Sequence, residues 1–220
     1  MTTVPASGRG SDLLMGRAYD ARPTVGYDGR GMSRDDREHW EHAHAKPAAP
    51  GPAAPFLVEH VHLLRPGRVV DVAAGTGRNA AFLAARGHRV IAVDVARAAL
   101  ARVHAVDARI ACVQMDLDAP GLRAGSVDAV VVVNFLDRRL FSEVGRWLRP
   151  GGILVWDTFL IDQREIGHPR NPSFLLARGE LVDRLAHEFR ILATREGAFD
   201  DGSGRAFRSG IVGERFGPKP

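Results

Sequence analysis

Cysteine is almost missing from this sequence. Cys112 is the single one among 220 residues, so no disulfide forms within the chain, and a reducing compartment, the cytoplasm, is expected. Set in the apolar run "RIACVQ", it reads as a small core residue rather than a reactive thiol. Lysine is nearly missing too, and arginine carries almost all of a net charge of +4. That excess is small, with no lysine- or arginine-rich run, and gives no footprint for nucleic acid. No apolar run approaches the roughly 18 residues of a membrane helix, and "MTTVPASGRGSD" lacks the apolar segment of a signal peptide. A soluble protein with no membrane partner is expected.

What is present begins late. Residues 1–45 hold few apolar positions and no sustained period, and read as a flexible N-terminal extension. Residues 46–55, "KPAAPGPAAP", read as a Pro/Ala linker, because proline at this density forbids a regular helix. Residues 56–216 then form one domain, followed by a tail at 217–220. A core of about 150 residues buries roughly two-thirds of its unfolded surface, so neither metal nor disulfide is needed to hold it. "FLVEHVHLL" opens the domain with Leu57, Val61 and Leu64 on one helical face.

Short apolar runs predict strands at Arg68–Ala73, Arg89–Asp94, Arg109–Gln114, Val127–Val133 and Ile153–Thr158. Between them lie helical faces: Ala80, Leu83 and Ala84; Ala96, Leu100 and Val103; Leu140, Val144, Trp147 and Leu148. Runs such as "AVVVV" are apolar at successive positions, as in strands covered on both sides. This alternation predicts an α/β fold with a doubly wound, mostly parallel sheet. The ending differs. After a helix around "GELVDRLAHEF", strands at Arg190–Glu196 and Arg205–Arg215 are joined by the turn-rich "FDDGSG". That link is too short for a helical crossover, so the two strands pair antiparallel.

The chemistry concentrates in "VVDVAAGTGRNAAFLAARGHRVIAVDVA", Val69 to Ala96. Gly77 is followed by Arg78 and Asn79 rather than G-K-[ST], which excludes a P-loop. "GTGRNA" matches G-x-G-x-x-A, with Asp94 about twenty residues on, so a dinucleotide fits the glycines. Asp71, inside the strand before the loop, argues against it. A pyrophosphate is repelled by a buried carboxylate, whereas the ammonium and sulfonium of S-adenosylmethionine are attracted by one. Asp116, in "QMDLDA" after the third strand, suits an adenine N6 amine, and the N–H of Leu117 can donate to the ring. Asp94 suits ribose hydroxyls under either cofactor. Gly75 and Gly77 let backbone approach the ligand closely. Acids at the carboxyl ends of successive strands mark the edge where open α/β sheets bind ligands.

These residues resemble the class I S-adenosylmethionine-dependent methyltransferases. "VVDVAAGTG" resembles their first motif, D-x-G-x-G-x-G, with Ala73 in place of the first glycine. "VIAVDVA" resembles the second, "QMDL" the third and "VDAVVVVNFL" the fourth. "GTGRNAAFLAARGHRVIAVD" is similar to the tellurite-resistance type, which also carries G-R-N. The resemblance implies a seven-stranded Rossmann-like sheet with a reversed C-terminal strand. It implies S-adenosyl-L-methionine as cofactor and S-adenosyl-L-homocysteine as product. It places Asp71, Ala73, Gly75, Gly77, Arg78, Asn79, Asp94, Val95, Asp116, Leu117 and Asn134 around the cofactor. Trp40 resembles the aromatic that closes over the cofactor from the segment before the fold.

Methyl transfer is an in-line displacement in which alignment alone supplies much of the rate, up to about 7–11 kcal/mol. A general base is needed only for protonated acceptors. Asn134 and Phe135, leaving the fourth strand, are the expected positioning residues. The chain reads Asn134–Phe135–Leu136–Asp137 there, not the [DN]-P-P-[FYW] of nucleic-acid amino-methyltransferases. "NPSF" at Asn171–Phe174 follows the fifth strand instead, so a small-molecule acceptor is expected and nucleic acid is not. Asp157, Arg164, His168 and Asn171 are the polar candidates on the long segment after the fifth strand. His39, His42 and His44 lack a completing acid or cysteine, and no metal site is read. A non-catalytic adenosyl-ligand-binding protein and an NAD(P)-dependent oxidoreductase stay open as alternatives; the latter leaves Asp71 and Asp116 unexplained.

Overall fold

The computed structural model describes Glu41, residues 50–200 and residues 204–217. Seven strands form one sheet: β1 (Arg68–Val72), β2 (Arg89–Asp94), β3 (Ala111–Gln114), β4 (Val127–Val133), β5 (Leu148–Phe159), β6 (Phe189–Asp200) and β7 (Arg205–Arg215). Their order is β3-β2-β1-β4-β5-β7-β6. All neighbours from β3 to β5 pair parallel, and β7 lies antiparallel between β5 and β6. The expected sheet, mostly parallel and closed by a reversed strand, is the observed one.

Among residues 50–217, five α-helices cover it: α1 (Pro55–His60), α2 (Arg78–Ala84), α3 (Arg97–Val106), α4 (Leu140–Trp147) and α5 (Glu180–Leu185). Alternate side chains of each strand point to opposite faces. Val69, Ala92, Ala129 and Val131 therefore pack with Leu57 of α1, Leu83 of α2 and Val103 of α3. Val70, Val93, Val130 and Val132 pack with Val144 and Trp147 of α4 and Leu181 of α5. Helices cross from one face to the other between β1 and β4, which opens a crevice at the carboxyl ends of those strands.

Three local readings change. Pro55, expected in the linker, is the first residue of α1, where its missing N–H costs nothing. Ala54 beside it is buried, so these two residues belong to the folded unit. The opening helix also stops at His60 and tightens to a 3₁₀ turn over Val61–Leu63. β5 starts at Leu148, directly after α4, where a strand was expected only from Ile153. Leu148 pairs with Val127 and the strand resumes pairing at Ile153, with the "RPGG" segment shifting the register between them. Among the described residues no helix is long and apolar enough to cross a membrane.

Candidate functional site

β1 runs out at Val72, and the chain turns through the glycine loop before α2 begins at Arg78. Ala73, Gly75 and Gly77 hold positive φ of 52°, 53° and 83°. Glycine adopts this region freely, whereas Ala73 carries a Cβ into it. At Gly77 an added Cβ would lie 2.8 Å from Cγ2 of Val103, so α3 packs where that side chain would be. The Ala74 N–H donates to the Val93 carbonyl at 3.0 Å, and the Gly77 N–H to that of Ala74 at 3.0 Å. The loop is therefore tied to the end of β2.

Beneath it sits Asp71, 1% exposed, with strands on both sides: it pairs with Ala92 of β2 and Val131 of β4. Its Oδ2 meets no hydrogen-bond donor among the described residues. Burial pushes this carboxyl up to about 7, helped by the charge of Asp94 and opposed by the Ala80 N–H and Arg78. A buried carboxylate oxygen without a donor is costly unless a ligand brings one. An ammonium does so; a pyrophosphate would add like charge. The donor set thus fits the amino-acid end of S-adenosylmethionine.

Asp94 ends β2 and is buried, with each oxygen holding one N–H: Oδ2 accepts from Gly75 at 2.9 Å and Oδ1 from Ala96 at 2.8 Å. Its orientation is locked by the glycine loop on one side and the entry to α3 on the other. Each oxygen keeps a second lone pair for a vicinal diol. Asp116, past β3, is half-buried, and its Oδ1 accepts from the Asp118 N–H at 3.0 Å. Leu117 beside it is buried. Gln114 donates to the Val95 carbonyl at 3.0 Å and joins the β2 and β3 exits. Asp71 within β1, Asp94 at the end of β2 and Asp116 just past β3 thus lie towards one edge of the sheet.

Other expected residues do different work. The Asn79 side chain is buried, and its Oδ1 accepts from the Ala54 N–H at 3.0 Å. This carbonyl pins the chain before α1 onto α2, a contact between residues 25 apart that local pattern does not reveal. Trp40 lies outside the described residues, as do His39, His42 and His44. Its neighbour Glu41 accepts from the Ala98 N–H at 3.1 Å, capping the first turn of α3 just beyond Asp94 and Val95.

On the other side of the crevice, Val132 pairs with Val72, so Asn134 leaves β4 level with the glycine loop. Asn134 is exposed and left-handed, with φ of 58°, a region Asn enters more readily than most residues. Its Oδ1 accepts from Nη2 of Arg208 at 2.6 Å. Phe135 is half-buried, and its carbonyl accepts from the Trp156 indole N–H at 3.1 Å.

Asp157, expected to face substrate, is instead 1% exposed and enclosed by two guanidiniums. Arg195 of β6 reaches its Oδ1 at 3.0 Å and Oδ2 at 2.9 Å. Arg208 of β7 reaches Oδ2 through Nε at 2.9 Å and Nη2 at 2.7 Å. The Arg208 guanidinium lies 4.5 Å from the Phe159 ring centroid, and that of Arg195 lies 4.7 Å from Phe56 and 4.8 Å from Phe199. Asp157 is therefore an anchor for the closing hairpin rather than a substrate contact. Neither arginine carries a local sequence signal, because their partner is 38 and 51 residues away.

Arg164, His168 and Asn171 are exposed on the segment after β5. Asn171 caps the 3₁₀ turn Pro172–Phe174 through the Ser173 N–H at 3.0 Å, so its side-chain oxygen serves the loop. The segment is fastened by residues that sequence reading missed. Arg138 holds Glu180 at 2.6 Å and 2.8 Å and donates to the Leu175 carbonyl at 2.9 Å. Gln163 is buried, accepts from the Phe207 N–H at 2.8 Å and donates to the His168 carbonyl at 3.1 Å.

Residues 69–152 match a family described as a methyltransferase domain. No curated protein matches the sequence. Among solved structures, TehB from Haemophilus influenzae is similar with a TM-score of 0.62 at 19% identity, over 72% of this chain and 61% of TehB. This chain thus spans less than two thirds of that protein. An S-adenosylmethionine-dependent methyltransferase from Mesorhizobium loti gives 0.61 at 20% identity, over 73% of this chain and 96% of that one. The 1,6-didemethyltoxoflavin-N1-methyltransferase of Burkholderia thailandensis, with 1,6-didemethyltoxoflavin and S-adenosylhomocysteine bound, gives 0.60 at 18%, over 91% and 94%. At such identities the likeness is one of fold. Residues 69–152 thus match a methyltransferase domain, and the sheet has the fold of these methyltransferase structures.

Proposed function

We propose that this chain binds S-adenosylmethionine along the β1–β2–β3 edge and transfers its methyl group, in line, to a small-molecule acceptor. Asp71 holds the ammonium, Asp94 the ribose hydroxyls, and Asp116 with the Leu117 N–H the adenine. Bound there, the cofactor supplies a methyl carbon made electrophilic by a sulfonium, and the protein's task is alignment. The single observation that carries this reading is the orphaned oxygen of Asp71, buried under the glycine loop and matched to a cation. The likeness to the toxoflavin-type enzyme supports a small-molecule acceptor, and the resemblance of "GTGRNAAFLAARGHRVIAVD" to the tellurite-resistance type makes a chalcogen oxyanion or a thiol the first candidate.

Calorimetric titration tests the cofactor. S-adenosylhomocysteine is expected to bind and NAD is not; the reverse result would overturn the reading in favour of an oxidoreductase. Asp94→Ala is expected to weaken S-adenosylhomocysteine tenfold or more. It removes the ribose acceptor and also frees the Gly75 and Ala96 N–H groups that shape the loop.

A further inference from the structure

The amino-acid end of the cofactor carries an ammonium and a carboxylate on the same carbon, and Asp71 answers only the ammonium. The carboxylate needs hydrogen-bond donors close by. β1, which carries Asp71, has β2 on one side and β4 on the other. Towards β2 stands the carboxylate of Asp94, locked by Gly75 and Ala96, and a second anion there is repelled. Within the glycine loop, the N–H groups of Ala74, Gly75 and Gly77 are already donated to Val93, Asp94 and Ala74. Towards β4 stands Asn134, just beyond the Val132 that pairs with Val72.

Asn134 is held with its donors available. Arginine carries only donors, so the 2.6 Å contact from Arg208 Nη2 turns the oxygen of the Asn134 amide to the guanidinium. The Nδ2 group, with two N–H donors, is then the part of this exposed side chain that a ligand can meet. The backbone is gripped at the same place. The Asn134 N–H donates to the Asp157 carbonyl at 3.0 Å, and Arg208 Nη2 reaches that carbonyl at 3.3 Å. Arg208 is itself 1% exposed and bound to the Asp157 carboxylate through Nε at 2.9 Å and Nη2 at 2.7 Å. A cation against the Asn134 carbonyl polarises the amide and strengthens its donors.

We infer that Asn134 receives the carboxylate of the cofactor through Nδ2, and that Arg208 of β7 is a positioning residue that sets the amide for it. This rests on the S-adenosylmethionine reading above and is independent of the methyl acceptor. The closing hairpin, far from the glycine loop in sequence, thereby takes part in cofactor selection. A ligand with the ammonium but without the carboxylate meets Asp71 and leaves the Asn134 donors unused.

The test is calorimetric titration with S-adenosylhomocysteine and with its decarboxylated analogue, which keeps the ammonium and lacks the carboxylate. The wild-type chain is expected to favour S-adenosylhomocysteine by about tenfold or more, the worth of hydrogen bonds to a charged group. Asn134→Asp puts an anion where the donors stood, and the preference is expected to vanish. Arg208→Met, which lets the amide turn over, is expected to lower it by about threefold or more. Arg208→Lys keeps a cationic donor and is expected to restore most of it. A ratio of affinities does not depend on the fraction of protein folded, so a purely structural arginine would lower the melting temperature and leave the ratio alone. Arg78 is the rival partner for the carboxylate, because its charge bears on Asp71. The inference is overturned by a wild-type chain without the preference, by a preference that survives Asn134→Asp, or by one lost only in Arg78→Met. An unchanged ratio in Arg208→Met overturns the positioning role. Failure of S-adenosylhomocysteine to bind overturns the methyltransferase reading instead.

Discussion

At the scale of single residues, Asp71 sets the terms. Its carboxyl stands near 7 in the fold against 3.8 ordinarily, about 4 kcal/mol of preference for the protonated form. Between these values the folded chain holds a proton that the unfolded chain has lost, so stability is full below about pH 4 and falls as pH rises through 7. Asp71→Asn is therefore expected to melt several degrees above wild type at pH 8, the gap closing towards pH 4. The same variant should bind S-adenosylhomocysteine at least tenfold more weakly, since no anion faces the ammonium. Thermal melts across pH and calorimetry check the two halves separately. Ala73 offers a second residue-scale test. Its positive φ is strained for a residue with a Cβ, and Ala73→Gly is expected to raise stability by up to about 1 kcal/mol in denaturant titration, with the loop intact.

Between elements, side chains far apart in sequence hold the loops around the crevice. Arg138, just past β4, clamps Glu180 at the start of α5 with both groups largely buried, 14% and 12% exposed. It also donates to the carbonyls of Ser173 and Leu175. Glu180 in turn accepts from the Ala177 N–H at 2.9 Å. Arg138→Met leaves that carboxylate without its cation, and a loss of about 3 kcal/mol is expected. Hydrogen exchange should rise across residues 160–179 and leave the glycine loop protected. The acceptor KM should climb while affinity for S-adenosylhomocysteine stays within about twofold. The parallel strands β1, β2 and β4 were readable, because each is a short apolar run between turn signals. The clamp was not, because a salt bridge spanning 42 residues leaves no periodic trace.

Across the whole molecule, the C-terminal hairpin completes what the first half of the chain begins. β7 enters the sheet beside β5 and delivers Arg208 to Asp157 and Asn134; β6 delivers Arg195. Asp157→Asn would leave two largely buried guanidiniums, 10% and 2% exposed, without their charge partner. A loss of about 3–5 kcal/mol in unfolding free energy is expected from denaturant titration.

The alternation of apolar runs and helical faces was enough to specify a doubly wound sheet. The acids Asp71, Asp94 and Asp116 could be placed towards the carboxyl edge of that sheet, because each lies in or just after an apolar run that marks its strand locally. Asp71 was legible as a costly carboxylate among the valines of a strand, and the structure leaves its Oδ2 without a donor among the described residues. Partnership was decided only in three dimensions. Asn79 turned out to hold the chain before α1, Asp157 to anchor arginines and Asn171 to cap a turn. The Asn134 side-chain oxygen turned out to accept from Arg208, 74 residues away. A side chain's type shows which hydrogen bonds it is able to make, but packing between distant segments determines which of its atoms are spent before a ligand arrives.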